Sequence, residues 1–479
     1  MRARNQVARD RLPSLLRRLG PTAAPVLARD LGVSLPTIHR MLQELGPDAT
    51  VKAGSTGRAR HALRRPLRGD LSLLPVYAID ESGAASQLAS LALIAPAGSW
   101  CPLPGTDWPA PDESRDGWWP GLPYPLYDMR PQGYMGRQLA RAEAARLQVA
   151  ENPASWSDDD IAYVLGQCGI DVSGNLIVGD PALRRWHQTR LDGLSPLPGN
   201  EVGPAYVRLA EQAVAMGVPG SSAAGEFPKF AAIRDLADSR TPHVLVKFSG
   251  SDDSPAVRRW SDLLVCEHLA LETIREALHL RTGDADKTHV GDAFAKIATA
   301  SSRIVQYGGR TFLEVERFDR IEAFGRRSLC SLETVNAALI GGASSDWTVL
   351  ADRLEAARLL TTADRERIAR LWWFGRLIAN TDMHLGNLSF RPHASMFALE
   401  PAYDMVPMLY APLPGGELPD RRFAPPLPLP NQRPAWLAAS VAALRFWERA
   451  ADDSRISAPM RAICGTNAAA LREMGHTHF

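Results

Sequence analysis

Between Leu15 and Leu45 the apolar residues fall into three clusters: Leu15, Leu16 and Leu19; Val26, Leu27 and Leu31; and Ile38, Met41, Leu42 and Leu45. The last has the i, i+3, i+4, i+7 spacing of one helix face. Gly32 and Val33 separate the second and third clusters, Ser34 stands where an N-cap belongs, and Pro36 falls in the first turn, where a missing N–H costs nothing. The pattern predicts three helices. A hairpin should follow, built from Val51 and Lys52, a turn at Gly54, Ser55, Thr56 and Gly57, and a basic strand at 58–63. From Leu71 to about Val178, short apolar runs such as Leu74–Ile79 and 91–94 predict strands. Residues 102–131 interrupt them with eight prolines and three of the chain's 12 tryptophans, which favours an irregular but packed surface. Residues 128–137 read as a structural turn. Further on, His243–Phe248 and 311–320 predict strands, 262–270 predicts a helix, and the Pro-rich stretch 412–434 reads as an extended crossover before a final helical segment at 435–451.

The length of 479 residues predicts about three domains. With 45% hydrophobic and 22% charged residues the chain has the composition of an ordinary globular protein. The longest apolar runs, around 88–98 and 435–444, are too short to span a membrane, and the N-terminus is basic without the apolar stretch of a secretory signal. Five scattered cysteines without a CxxC pair fit a reducing cytoplasm better than a disulfide framework or zinc site. The net charge of +1 conceals an asymmetry: residues 1–68 hold 14 Lys/Arg against 4 Asp/Glu, so a basic module precedes an acidic body. Such a module calls for a polyanionic partner, with nucleic acid the leading candidate.

The N-terminal pattern as a whole resembles a winged helix-turn-helix. That resemblance implies that the third helix enters the major groove of double-stranded DNA with Thr37, Arg40 and Gln43 outward, while Arg58 and Arg60 reach phosphates or the minor groove. A basic three-helix module packed on a protein partner or on the body is the alternative.

Four separated segments each supply a part that phosphoryl transfer needs. The first, 220–230, is a run of small residues including Ser221, Ser222 and Gly225 and leading to Lys229, able to bring backbone N–H groups close to phosphate oxygens. In the second, Lys247 lies on a strand followed by a helix whose Glu267, with Asp262 as competitor, can hold it as kinases hold their phosphate-positioning lysine. The third is the strand ending in Glu316, Arg317, Phe318 and Asp319, where a kinase-like fold would place an adenine-reading hinge at Glu316 and Phe318, with Asp319 near the ribose. The fourth holds Asp382, His384 and Asn387, with Asp382 and Asn387 five residues apart as in a catalytic loop, and Asp404 17 further on as a second metal ligand. Such oxygen ligands suit Mg²⁺. A structural polar turn, a Ca²⁺ site, or a phosphodiesterase using Asp382 and His384 are the competing readings.

Taken in order, these segments resemble the HipA-like serine/threonine kinases, most closely the YjjJ type in which a winged helix-turn-helix precedes the HipA region. The resemblance covers about residues 70–460 and is most specific at 381–387, at 402–404, at 315–320 and at 222–229. It implies an α+β fold: a winged helix-turn-helix (1–68), a β-rich subdomain (69–180), a kinase N-lobe (181–322) and a largely helical C-lobe with the catalytic loop (323–479). It further implies an ATP- and Mg²⁺-dependent toxin kinase acting on a protein hydroxyl, with Lys247 contacting ATP, Asp382 catalytic, Asn387 and Asp404 holding the metal, and Ser222 autophosphorylated, Ser221 being the adjacent alternative. Partners would then be ATP, DNA and a protein substrate, with paired half-sites on the DNA bound by a homodimer. The chain departs from the family in two places. Phe227 and Pro228 stand where a Gln–Glu pair precedes the lysine, and the usual helix carboxylate aligns close to Leu263, one turn before Glu267. A nucleotide-sensing DNA-binding regulator without catalysis is the reading from another class.

Overall fold

The computed structural model describes residues 2–55, 59–103, 106–216, 227–235, 239–277 and 297–478. Ser221, Ser222, Gly225 and Arg58 lie outside them.

The first helix, Arg2–Leu19, is far longer than its apolar cluster predicts, because Ala8 and Leu12 extend the buried stripe of Leu15 and Leu16 backwards between arginines that stay on the outer face. Helices Ala24–Leu31 and Leu35–Leu45 follow, separated at Gly32, whose φ of 63° supplies the left-handed turn, and the second is capped by Ser34 Oγ accepting from the Thr37 amide. Ala8, Leu12, Leu16, Leu27, Ile38 and Met41 form their shared core. Strands Thr50–Ala53 and Arg60–Leu63 pair as a hairpin, with Thr22–Ala23 on its other edge.

The hairpin runs directly into the next part of the chain. Leu63 accepts from the Ala95 amide at 2.9 Å, and Arg65 donates through its amide to Leu93 at 2.8 Å. There a five-stranded antiparallel sheet has the order Trp118–Trp119, Ser99–Trp100, Ala85–Leu93, Leu74–Ile79, Leu176–Val178. The Pro/Trp-rich stretch is packed, with Trp108, Trp118 and Trp119 buried. Residues 128–137 are a turn only in part: helix Gly133–Leu147 begins inside them, and the Asp128 carboxylate is buried against the Ser331 and Thr334 hydroxyls.

A four-stranded antiparallel sheet carries the later chemistry, in the order Ser302–Tyr307, Arg310–Glu316, His243–Phe248, Lys229–Ile233. Strand alternation sends Val244, Val246 and Phe248 to one face, against Tyr206 of helix Val202–Met216, and so turns Lys247 to the opposite face. Helix Pro255–Ala277 covers that face. The remainder is mostly helical, with Trp347–Ala356, Thr362–Leu377, Arg433–Asp452 and Ala458–His478 around Trp347, Phe374, Phe446 and Trp447. A small sheet, Cys330–Ser331 with Ser389–His393 and Met396–Leu399, completes it. The architecture is mixed α/β, and among the described residues no helix is long and apolar enough to cross a membrane.

One buried ionic cluster ties the middle sheet to the lysine-bearing sheet. Asp319 accepts from Arg317 at 3.0 and 3.1 Å, from Arg320 at 2.6 Å and from the Gly174 amide at 2.9 Å. Asp171 receives the same two guanidiniums at 2.6 and 3.2 Å. Burial alone would raise the Asp319 pKa, but Arg317 and Arg320 outweigh it and hold the carboxyl well below the usual carboxylate range. The expectation that Asp319 lies beside a ribose is therefore not met, since its oxygens are engaged inside the protein and the residue is 5% exposed. Asp319→Ala removes the buried carboxylate shared by Arg317 and Arg320 and leaves them only Asp171 and backbone carbonyls, which should cost about 3 kcal/mol, read as a lowered denaturation midpoint for the body. A depressed folded-state pKa means that the wild-type contribution is full at neutral pH and falls away only in strong acid.

Candidate active site

Lys247 is the centre of the site. Its Nζ donates to both Glu267 carboxylate oxygens at 2.8 Å and also to Asp404 Oδ1. Glu267 is fully buried on helix Pro255–Ala277, whereas its competitor Asp262 binds the Ser457 amide and hydroxyl at 2.7 and 2.6 Å, capping helix Ala458–His478. Leu263 is buried apolar surface, so the carboxylate one turn later meets the lysine. Burial would lower the lysine's pKa, but Asp404 and Glu267 together hold it above the ordinary value, so Lys247 stays charged. Burial pushes Glu267 up against the opposing pull of Lys247. For Asp404, Lys247 and then Lys229 overcome the effect of burial and hold the carboxyl down.

Lys229 is Lys247's direct partner across the strand pair and lies on the same sheet face. Like charges opposite each other are unfavourable unless anions answer them, and here the acidic pair is the answer. Phe227 packs beside the lysine, its ring centroid 5.9 Å from Nζ and 4.8 Å from that of Trp260.

The loop that carries Asp382 is launched by Ala379, whose φ of 59° ends helix Thr362–Leu377 and whose carbonyl accepts from the Leu409 amide at 3.1 Å. Asn380, a residue to which sequence reasoning gave no role, ties both acidic segments together. Its Oδ1 accepts from the Asp382 amide at 3.0 Å and its Nδ2 donates to the Asp404 carbonyl at 3.2 Å. Asn387 Nδ2 donates to the Asp382 carbonyl at 2.8 Å, which leaves its Oδ1 as the acceptor atom. Asp404 has φ 58°, a conformation aspartate tolerates better than most residues. Next to it the Tyr403 hydroxyl donates to the Gly386 carbonyl at 2.7 Å and lies 2.7 Å from Ser389 Oγ, holding the loop to the small sheet. The Trp347 indole donates to the His384 carbonyl at 3.3 Å. Asp382 and His384 themselves are exposed.

The segments around 247, 267, 382–387 and 404 therefore converge. Of the expected hinge, Glu316 receives the Arg240 amide at 3.2 Å and Phe318 stacks on Tyr403 with centroids 5.6 Å apart, so the segment adjoins the site through Phe318. Away from this site, Arg40, Gln43 and Arg60 are exposed on the N-terminal module, and Thr37 is half-buried with its hydroxyl 2.9 Å from Ser34 Oγ. Beside Asp382 opens a cleft of about 680 Å³ whose walls include Trp372, Arg376, His384, Arg422 and Phe423.

Residues 71–187 match the family described as "YjjJ-like toxin, middle domain", and residues 221–464 match "HipA-like C-terminal domain". Toxin YjjJ of Escherichia coli (strain K12) is 35% identical over 445 residues, 93% of either chain. The chain belongs to the HipA-like family, among its YjjJ-type toxins. Two solved structures are more distant. The Shewanella oneidensis MR-1 toxin–antitoxin system HipA, in complex with HipB and its operator DNA, is 16% identical with a TM-score of 0.46, covering 83% of this chain and 95% of that one. The Helicobacter pylori proinflammatory kinase CtkA is 10% identical with a TM-score of 0.33, covering 53% and 93%. Lys247, Glu267, Asp382, Asn387 and Asp404 all fall within the HipA-like C-terminal match.

In this HipA-like site Lys247→Ala leaves Glu267 buried without its cation. The stability loss should reach about 3–5 kcal/mol at neutral pH. An unpaired buried Glu267 has a raised folded-state pKa, so its proton-bound form favours folding below the ordinary glutamate range and the deficit grows as pH rises. Urea midpoints of wild type and variant at pH 5 and pH 8 measure this, with the wider gap expected at pH 8.

Proposed function

We propose that this chain is an ATP- and Mg²⁺-dependent serine/threonine protein kinase of toxin type that carries its own DNA-binding module. The observation that carries the proposal is the convergence of the Lys247–Glu267–Asp404 cluster with the Asp382–Asn387 loop, joined through Asn380. Separated acids and a clamped lysine are what in-line phosphoryl transfer requires of a protein. Lys247 neutralises phosphate charge, and the backbone at Glu316 and Phe318 reads the adenine. Asp382 orients the acceptor hydroxyl and takes its proton. The new bond joins that oxygen to the γ-phosphorus as the bond to the β–γ bridging oxygen breaks and ADP leaves. Asn387 Oδ1 and the Asp404 carboxylate are hard oxygen donors that fit Mg²⁺, and when bound the ion offsets charge on the phosphate oxygens. Among the described residues no cluster of three or more His, Cys, Asp or Glu forms, so a zinc-type hydrolytic centre finds no support in them.

Ser222, or its neighbour Ser221, is the proposed self-phosphorylation site. Purified protein with Mg²⁺ and γ-labelled ATP should take label on one of the two serines, located by mass spectrometry. Asp382→Asn and Asp404→Asn should each lower incorporation by at least about 10²-fold while the far-ultraviolet circular dichroism stays that of wild type. Undiminished transfer in both variants refutes the assignment.

For the N-terminal module we propose a winged helix-turn-helix on duplex DNA, with Thr37, Arg40 and Gln43 toward the bases and Arg58 and Arg60 toward phosphates. Three helices with a paired hairpin, a net basic charge and the exposure of Arg40, Gln43 and Arg60 support it. Affinity for duplex DNA should fall about 10³-fold between 50 and 200 mM salt if some six phosphates are contacted. A flat salt response, or equal binding after removal of residues 1–68, rejects the module's role.

A further inference from the structure

The cleft beside Asp382 carries more positive than negative charge. Its lining contains two guanidiniums, Arg376 and Arg422, and Asp382 is its single carboxylate. Both arginines are exposed, and neither has an ion-pair partner among the described residues; Arg376 only stacks on Trp372, with 5.8 Å from its guanidinium carbon to the ring centroid. Lys247, Glu267 and Asp404 do not line the cleft, whereas Asp382 does. Arg376 sits in the last turn of helix Thr362–Leu377, where a cation also suits the helix dipole, but that interaction leaves its five N–H donors unspent. Arg422 comes from the Pro-rich crossover that also contributes Phe423, Ala424 and Pro426 to the lining. The rest of the surface is mixed, with Trp372, Met383, Leu409 and Phe423 beside Ser345, Asn380, Thr381 and His384.

We infer that the cleft binds the protein acceptor, and that Arg376 and Arg422 select a serine or threonine flanked by aspartate or glutamate. This rests on the kinase reading above. A carboxylate on the acceptor segment satisfies guanidiniums that the protein leaves unpaired, with the fork geometry that suits bidentate pairing. Two separate guanidiniums on walls of mixed polarity favour a peptide with one or two acidic positions over a nucleic-acid strand, whose phosphates would need a continuous basic track.

The experiment uses the full-length protein. Fluorescent peptides with one central serine and either acidic or lysine neighbours are titrated by anisotropy, and the same peptides are assayed for transfer from γ-labelled ATP. The acidic peptide should bind and be phosphorylated about tenfold better, each exposed pair contributing a few-fold, and the preference should shrink with added salt. The double variant Arg376→Glu with Arg422→Glu should reverse the preference toward the lysine peptide, with Arg376→Lys retaining part of it. Its melting temperature serves as the control for folding. Transfer or binding without any acidic preference overturns the inference and leaves the kinase reading standing. Acidic-peptide binding that reverses in the double variant, with no transfer to any peptide, overturns the kinase reading and keeps the anion-selective cleft. Tighter binding of an unstructured oligonucleotide at the same site, displaced by neither peptide, overturns the peptide assignment.

Discussion

A lysine ammonium buried between two carboxylates is the constraint around which the body is arranged. Lys247 reaches Glu267 and Asp404 only because the strand His243–Phe248 alternates, giving its valines and phenylalanine to one core and the lysine to the other face. Neither the Lys247 ammonium nor the Glu267 carboxylate is tolerable alone at that depth, so helix Pro255–Ala277 and the lysine strand have to be assembled together, with the half-buried Asp404 completing the pairing. The cross-strand Lys229 adds a second cation to the same face and leaves the site with matched charge.

The second buried cluster, around Asp319, acts at a longer range. Arg317 and Arg320 leave the end of the strand Arg310–Glu316 and close on Asp171, the Val172 carbonyl and the Gly174 backbone, more than 140 residues earlier in the chain. This fixes the middle sheet against the lysine-bearing sheet at the point where the chain leaves the latter. Asp319, which reads in sequence as a ribose contact, is here part of a clamp between two sheets. Phe318 alone of that run turns toward Tyr403 and so toward the acidic loop.

Much of this was legible in the sequence, and the failures have physical causes. Period and spacing located the three N-terminal helices, the lysine strand, and the Asp382, Asn387 and Asp404 segments. The start of the first helix was hidden because arginines interleave its buried stripe, and the helix at Gly133 was hidden by the glycine and proline before it. Asp319 was misjudged because its partners Asp171 and Gly174 come from a distant loop that no local pattern announces. Asn380 lies in plain view two residues before Asp382, yet its task, bridging the Asp382 N–H and the Asp404 carbonyl, exists only once the chain has folded. Ala379 occupies a left-handed position that a reader of sequence assigns to glycine.

The N-terminal module is not tethered by a free linker. Its hairpin strand continues into the body through the Leu63–Ala95 and Arg65–Leu93 hydrogen bonds, and Val51 and Ala62 pack against Ala92, Ile94 and Trp118. Arg68 meets Asp160 at 2.7 Å, and Arg65 pairs with Asp159 beside it, so part of the module's basic charge is neutralised by the acidic first turn of helix Asp158–Cys168. Burial, reinforced by Lys52 and His39, lowers the His61 pKa to about 4, so this histidine is neutral near pH 7. The inner face of the hairpin is thereby consumed by packing. Among the described residues, the positive charge offered to a polyanion comes from the outer arginines of the long first helix and from Arg29, Arg40, Lys52 and Arg60, and its direction is set by the body to which the hairpin is joined.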